Sequence, residues 1–412
     1  MKILVFGGSG KIGATVAWDL AQQADVTSVG LVGRREDRLR GAREWIRSPK
    51  VQIHAMDVLD AEATGSLMRQ YDVGVCALPD RRTSYALLDT AVKVGFDLVD
   101  MLEEYHRRPD AYEIEELKLP PGVTLNEYGD LLHETAINNN VTFLDGIGFA
   151  PGISNIMVGG AIRQLDEAWA AVARVGGIPS RAAAERHPLR YMITWAFDHV
   201  LREYMVKVNI LRDGKVTEVG AGSELERFHF SEFGKDEDLE CAITPGMPSL
   251  IYTHPYLQSF TEKTVRWPGH WEGIKTLKEC GLLDLEPIPF EGHQISPREF
   301  LLAVIEPRLR PGDQDTDVCV MWTSVKGKKA GKEVSVESYL WDEADTVNNI
   351  SSMARVTGFS AAIGALFIGR GLITKKGIVP PEDCFEDGVH EAFLDELGKR
   401  DIHIVERVTK LT

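Results

Sequence analysis

Short unbroken apolar runs alternate with helical spacing along the first part of the chain. Ile3 to Phe6 is a continuous apolar run, after which Ile12, Val16 and Leu20 fall on one face of a helix. The alternation continues with Val26 to Val32 as a strand, Val51 to Met56 as a strand, Ala61 to Tyr71 as a helix, Val73 to Leu78 as a buried strand and Thr83 to Val94 as a helix. Leu98-Val99-Asp100 and Val141 to Leu144 add two short strands. Between them lies a charged stretch, Met101 to Asn140, with one amphipathic helix, Asn126 to Asn139. Buried strands alternating with helices predict a parallel sheet covered on both faces.

From about Trp169 the pattern changes to longer strands and hairpins. Asp213-Gly214 sits between apolar runs as a two-residue turn, and Val318 to Val325 pairs with Val334 to Trp341 through a loop, Lys326 to Lys332. This block reads as an α+β domain with a mostly antiparallel sheet. After Asp345 a helix, Ser351 to Ile368, carries small residues (Ala354, Gly358, Ala361, Ala362, Gly364, Ala365) that permit close packing, and is expected to return to the first domain. The expected division is therefore 1–155 plus 346–412 for the first domain and 156–345 for the second.

The turn after the first strand is Gly7-Gly8-Ser9-Gly10-Lys11-Ile12-Gly13, a Gly-x-Gly-x-x-Gly pattern between a strand and a helix. Spaced glycines let the backbone approach a pyrophosphate at the helix N-terminus. Gly8, Ser9, Gly10, Lys11, Ile12 and Gly13 are the expected phosphate contacts. About twenty residues on, where an NAD site carries an acid for the ribose, stands Gly33-Arg34-Arg35. Glycine leaves room and guanidinium groups attract a 2′-phosphate, so NADP is favoured, with NAD as the alternative. The bland reading makes Arg34 and Arg35 solvated helix-start residues. Asp57, Leu78, Pro79 and Asn155 complete the expected cofactor contacts.

The 412 residues carry 46 Lys and Arg against 62 Asp and Glu, a net charge of −16, which repels nucleic acid and anionic lipid. The longest apolar stretch, near Ala361 to Ile368, is short of a membrane span, and the first strand begins at once. A cytoplasmic protein is expected, with neither a nucleic-acid nor a membrane partner. Cys76, Cys241, Cys280, Cys319 and Cys384 show no paired spacing, and the histidines form no metal-binding pattern, so reduced thiols and no metal are expected.

Four segments resemble the saccharopine dehydrogenase family, which includes saccharopine reductases and lysine 6-dehydrogenases. They are Asp145 to Asn155, Gly176-Gly177-Ile178-Pro179, Thr264-Val265-Arg266-Trp267-Pro268-Gly269-His270 and Met353 to Phe359. The resemblance runs nearly end to end. It implies a Rossmann-type domain completed by C-terminal helices, with an inserted domain that binds substrate and builds a homodimer. It also implies hydride transfer between a nicotinamide and a nitrogen-bearing carbon of lysine-derived or polyamine-like compounds.

Strand-end carboxylates suit the base that such chemistry needs, so Asp100 is the first candidate as base or ammonium anchor, with Asp145 beside it as a substrate contact. Arg266 is the candidate clamp for an α-carboxylate, and His270 the second proton carrier or else a packed loop residue. Tyr191, Trp195, Asp198 and His199 form the candidate substrate stretch. Asp198 stands where saccharopine reductases carry an arginine, so it either welcomes an ammonium or caps the next helix. Glu103, Glu104, Asp110, Glu113, Glu115 and Glu116 read as a solvated face or as a lid over a cationic substrate. Three functions compete: an NADP-dependent oxidoreductase on CH–NH or CH–NH2 groups of lysine-derived amino acids, a carboxyspermidine-type polyamine dehydrogenase, and a non-catalytic NADP(H) sensor.

Overall fold

Strands form where the apolar runs demand burial on both faces, and the computed structural model, which describes residues 1–109, 117 and 119–411, places them in three sheets. In chain order the strands are β1 (Lys2–Phe6), β2 (Ser28–Gly33), β3 (Val51–Ala55), β4 (Val73–Cys76), β5 (Asp97–Asp100), β6 (Thr142–Asp145), β7 (Glu167–Pro179), β8 (Lys207–Arg212), β9 (Lys215–Gly220), β10 (Glu226–Phe230), β11 (Glu237–Ile243), β12 (Ser259–Arg266), β13 (Ile288–Phe290), β14 (His293–Ile295), β15 (Asp317–Lys329), β16 (Lys332–Glu343), β17 (Gly377–Val379) and β18 (Ile404–Lys410). The chain divides into two compact units. The first comprises residues 1–163, 247–253 and 354–402, the second residues 164–246, 254–353 and 403–412.

The first unit holds a seven-stranded sheet ordered β17-β6-β5-β4-β1-β2-β3, with every recorded pairing parallel. The order reverses between β1 and β4, and open parallel sheets bind ligands at the carboxyl ends of strands flanking such a point. Helices α1 (Lys11–Gln22), α2 (Glu36–Ile46), α3 (Ala61–Met68), α4 (Arg81–Val94), α5 (Leu125–Asn138) and α6 (Ile153–Arg163) connect or cover these strands. Asp80 caps α4 by accepting from the Thr83 N–H, so the helix begins two residues before the periodicity predicts. A Thr124/Glu127 capping box starts α5.

The helix Ser352–Gly369 is long and apolar enough to cross a membrane, which corrects the expectation drawn from the Ala361 to Ile368 run. Of its residues 89% are buried within the fold, so packing accounts for its apolarity. Gly358 makes the close approach possible, since a Cβ there would meet the Thr15 side chain at 3.3 Å and the Ile12 carbonyl at 3.4 Å.

The second unit holds a mostly antiparallel nine-stranded sheet along the path β10-β11-β12-β7-β15-β16-β18, with β8 beside β12 and β9 beside β8; β12 and β7 run parallel. Asp213 and Gly214, with φ of 50° and 70°, make the expected two-residue turn between β8 and β9. The β15–β16 hairpin runs further than its apolar pattern predicts. Lys326 to Lys329 pair with Lys332 to Ser335, leaving a two-residue turn at Ala330 and Gly331. Backbone pairing extends a hairpin even where charged side chains hide it from the apolar pattern. Residues 403–412, expected with the first domain, supply β18, which pairs with β16 in the second unit. Residues 247–253 and the whole of α6 belong to the first unit, so its boundary also runs beyond position 155. All five cysteines are free thiols.

Gly13 tests the phosphate-loop geometry. A Cβ at Gly13 would lie 2.4 Å from the Gly7 carbonyl oxygen, so Gly13→Ala is expected to destabilise the fold by about 1–3 kcal/mol through overpacking. It should also weaken NADPH binding; urea unfolding and calorimetric titration read the two effects.

Candidate functional site

The loop after β1 is tied down before any ligand enters it. The Gly7 and Gly8 N–H groups donate to the Val32 carbonyl at 2.9 and 3.2 Å, and Gly10 N–H donates back to Gly7 at 2.9 Å. Gly7 adopts φ 78°, and a Cβ there would lie 2.5 Å from the Ala77 carbonyl. This packs the Gly loop against the Ala77-Leu78 end of β4, on the other side of the switch point. Gly10 caps α1 without a side chain, and the first-turn residues Lys11 and Ile12 follow it, so first-turn N–H groups face outward for an anion. The space beside Gly33 holds Ser9 Oγ and Leu39, each beyond 3.4 Å from a built Cβ. Arg34 and Arg35 are exposed, with Arg35 at the N-cap of α2, whose own Glu36 is paired with Arg40 at 2.6 Å. These residues fit a phosphorylated dinucleotide.

The remaining expected cofactor residues are less uniform. Asp57 is exposed at the end of β3 and accepts from the Leu59 N–H at 3.0 Å. Leu78 is half-buried and Pro79 exposed. Asn155 lies in the interior with no exposed surface: its Oδ1 accepts from Gly152 N–H at 3.0 Å and its amide donates to Glu382 at 2.8 Å. Ser249 and Thr253 also donate to Glu382, at 2.6 and 2.9 Å, and burial pushes that carboxyl above its usual range. Asn155 thus anchors α6 to the helix Pro381–Cys384.

Asp100 and Asp145 end adjacent strands, opposite one another in register. Neither faces water: Asp100 is 0% and Asp145 2% exposed. Asp100 Oδ1 accepts from the Leu102 N–H at 2.6 Å and Oδ2 from the Ser84 hydroxyl at 2.7 Å. Asp145 accepts from both the backbone N–H of His106 at 2.8 Å and its ring Nδ1 at 2.7 Å. The ring closes the chain, its Nε2 lying 2.7 Å from Ser84 Oγ. Ser84, His106 and Asp145 have the connectivity of a nucleophilic triad, but Ser84 Oγ is enclosed and already bonded to Asp100, so no substrate carbonyl reaches it. Beside this chain Arg81 pairs with Glu104 at 2.6 Å, both side chains 2% exposed, and Tyr85 donates to the same carboxylate. Glu104 is therefore no part of a solvated face, since Arg81 compensates its charge in the interior. Glu103 is half-buried, whereas Asp110, Glu113, Glu115 and Glu116 lie outside the described residues.

In the second unit, Arg266 and His270 meet through a residue that motif reading passed over. Arg266 Nε–H donates to the Tyr204 hydroxyl at 3.0 Å, and that hydroxyl lies 3.1 Å from His270 Nε2. His270 Nδ1 is 3.0 Å from the Leu189 carbonyl, which can only accept. The imidazole therefore carries its hydrogen on Nδ1, and Tyr204 donates to Nε2. Burial, then the charge of Arg266, pushes His270 down to about 3, so it stays neutral at physiological pH. The Arg266 guanidinium lies 5.3 Å from the Tyr191 ring centre. Among the described residues no carboxylate lies within ion-pair distance of it. The Tyr191 hydroxyl is buried, with the Thr194 side chain beside it.

Trp195 packs on His199 at 5.2 Å, and His199 bonds Glu203 at 2.9 Å. Asp198 is exposed in the first turn of the helix Phe197–Glu203 and acts on Arg298 electrostatically. Ser84, His106 and Tyr204 carried no sequence signal, because each matters only through partners far along the chain.

Comparison with known proteins places these features in a family. Residues 3–125 match the saccharopine dehydrogenase NADP binding domain, and residues 148–402 match the saccharopine dehydrogenase C-terminal domain. A carboxyaminopropylagmatine dehydrogenase of Synechocystis is 22% identical over 97% of this chain and 95% of its own length. A saccharopine dehydrogenase (NADP+, L-glutamate-forming) of Pyricularia oryzae is 27% identical over 42% of this chain and 40% of its own. Among solved structures, apo saccharopine dehydrogenase (L-Glu forming) of Saccharomyces cerevisiae has the same fold, with a TM-score of 0.76 and 19% identity over 99% of both chains.

Two measurements test this geometry. A charge-assisted bond contributes about 1.5–3 kcal/mol, so replacing Arg34 and Arg35 with alanine is expected to cut the preference for NADP over NAD by about tenfold or more, read from the ratio of kcat/KM values. The folded state keeps His270 neutral, whereas the unfolded chain protonates it near the ordinary value of 6.5. Its contribution is thus intact above that pH and erodes toward about 3, at up to about 1.4 kcal/mol per pH unit. Urea unfolding across this window should show a shallower pH dependence for His270→Asn than for the native protein.

Proposed function

This chain belongs to the saccharopine dehydrogenase family, and on that premise we propose that it is an NADP-dependent oxidoreductase acting at a CH–NH carbon of a lysine-derived amino acid. The bound nicotinamide supplies or accepts the hydride. Gly8 to Gly13 hold the pyrophosphate, and Gly33, Arg34 and Arg35 accommodate the 2′-phosphate, with Asp57, Leu78 and Pro79 bordering the same edge of the sheet. Asp100, enclosed with Asp145 beside it, serves in this reading as the base, taking and returning a proton, rather than as an anchor for an ammonium.

The observation that carries this reading is Arg266. A buried guanidinium with no carboxylate at ion-pair distance among the described residues is costly, and an α-carboxylate of the substrate supplies a closer partner than the Glu203 carboxylate that acts on it from further off. Tyr204 holds the guanidinium in place, and the buried Tyr191 hydroxyl, whose ring lies beside the guanidinium, offers a further donor to the same anion. Neutral His270 orients Tyr204 rather than carrying a proton. Trp195, Asp198 and His199 line the amine-bearing end of the substrate. In this reading residues 156–345 recognise the substrate and join two copies into a cytoplasmic homodimer.

A second substrate is favoured by one observation: a relative that matches nearly end to end is a carboxyaminopropylagmatine dehydrogenase. Such a compound also joins a carboxylate to a secondary amine, and exposed Asp198 suits its cationic arm.

Absorbance at the reduced-nicotinamide band decides among the readings. Turnover is expected with saccharopine or with carboxyaminopropylagmatine, the preferred one naming the branch, while NADPH binding without turnover of either, or of lysine or carboxyspermidine, would identify a sensor. Arg266→Ala should raise KM for the active substrate about a hundredfold, as loss of a bidentate carboxylate contact predicts. An unchanged KM removes the clamp.

A further inference from the structure

The two enclosed aspartates at the ends of β5 and β6 are joined by a hydrogen-bonded chain whose hydrogens can be counted. Its three links, Asp100 to Ser84, Ser84 to His106 and His106 to Asp145, each measure 2.7 Å. Each link needs one hydrogen. The Ser84 hydroxyl brings one and a neutral imidazole brings one, so the third belongs to neither in its ordinary state. With Ser84 donating to Asp100, the ring Nε2 must donate to Ser84 while Nδ1 donates to Asp145. We infer that Asp100, Ser84, His106 and Asp145 together hold one extra proton at neutral and mildly alkaline pH, centred on His106 as an imidazolium, and that this buried store governs the protonation of Asp100.

The surroundings favour keeping that proton. Ser84, Asp100 and His106 have no exposed surface and Asp145 almost none, so two bare carboxylates there would face each other without water. Asp145 is driven up by burial, with Asp100 adding to the rise and His106 opposing it. Burial works against the His106 cation, but Asp145, then Asp100 and Glu104, outweigh it and raise the imidazole. Around the chain, Glu104 is neutralised by Arg81, the Tyr85 hydroxyl donates to Glu104, and Cys76 on β4 presents a thiol, itself raised by burial, to Asp100. Arg107, next to His106 in sequence, is paired with Asp130 on α5.

Release runs through short shifts. Ser84 passes its hydrogen to Asp100 and takes one from His106 Nε2, and Asp100 then gives up the hydrogen it has received. A neutral imidazole remains, bonded through Nδ1–H to Asp145. The chain then goes from one net negative charge to two, and the single Ser84 hydrogen serves only one of its two links, to Asp100 or to His106 Nε2. On the function proposed above, the recipient is the nitrogen that gains a proton as its carbon gains hydride, and the reverse reaction refills the store. Ser84 and His106 are positioning residues in this scheme.

Nitrogen and carbonyl-carbon NMR of cofactor-free protein tests the store without any assumption about activity. At pH 8, where an ordinary histidine is neutral, one histidine should show hydrogens on both ring nitrogens, and His106→Gln should remove that signal. Should that variant fail to fold, Ser84→Ala keeps the His106–Asp145 bond and is expected to leave Nε2 bare at the same pH. A neutral His106 with both carboxylates ionised in the native protein overturns the proposal. Coupling to catalysis predicts that Ser84→Ala lowers kcat about tenfold or more and shifts its pH profile while KM holds. An unmoved profile overturns the coupling, whereas absence of turnover in the native enzyme counts against the proposed function and leaves the NMR result to stand by itself.

Discussion

Parallel strands deliver all their carboxyl ends to one edge of a sheet, and everything polar carried on those ends must find partners there. In this chain the consequence is concrete. The end of β1 opens into the glycine loop, and the end of β4 packs its Ala77 carbonyl against Gly7. Asp100 and Asp145 on β5 and β6 arrive side by side in a place without water. Close backbone packing solves the first pair of ends. The second pair is solved by donors brought from elsewhere, namely Ser84 from α4 and His106 with Leu102 from the segment after β5.

The second unit meets the opposite problem. Arg266 ends β12 inside a cluster of aromatic rings, where its charge is met by the Tyr204 hydroxyl, the Val265 carbonyl and the faces of Tyr191 and Tyr204. None of these carries a full negative charge, and the buried Glu203 carboxylate acts on the guanidinium from beyond ion-pair distance. Burial first, and then the positive charge of Arg266 beside it, depress His270 in the same cluster. A residue type associated with proton transfer thus becomes a fixed hydrogen-bond acceptor for Tyr204.

Sequence pattern and tertiary structure part company over burial of charge. The carboxylates after β5 look alike in sequence, yet Glu104 is sealed against Arg81. Asn155, adjacent to a motif that reads as a cofactor contact, turns inward to Glu382, more than two hundred residues away. The β15–β16 hairpin extends through lysines because backbone hydrogen bonds, not side-chain polarity, carry its last pairs.

Order of elements, the glycine loop and the cations after β2 are local properties: they depend on neighbours within a few residues, and periodicity and spacing suffice to read them. The parallel sheet, its switch point and the phosphorylated dinucleotide follow from those. Which ionisable groups lose water, and which partner each then finds, depends on residues brought together from distant parts of the chain. Desolvation is a property of assembled volume rather than of chain order, so the hydrogen-bonded chain around His106 and the buried Arg266 emerged only once the fold enclosed them.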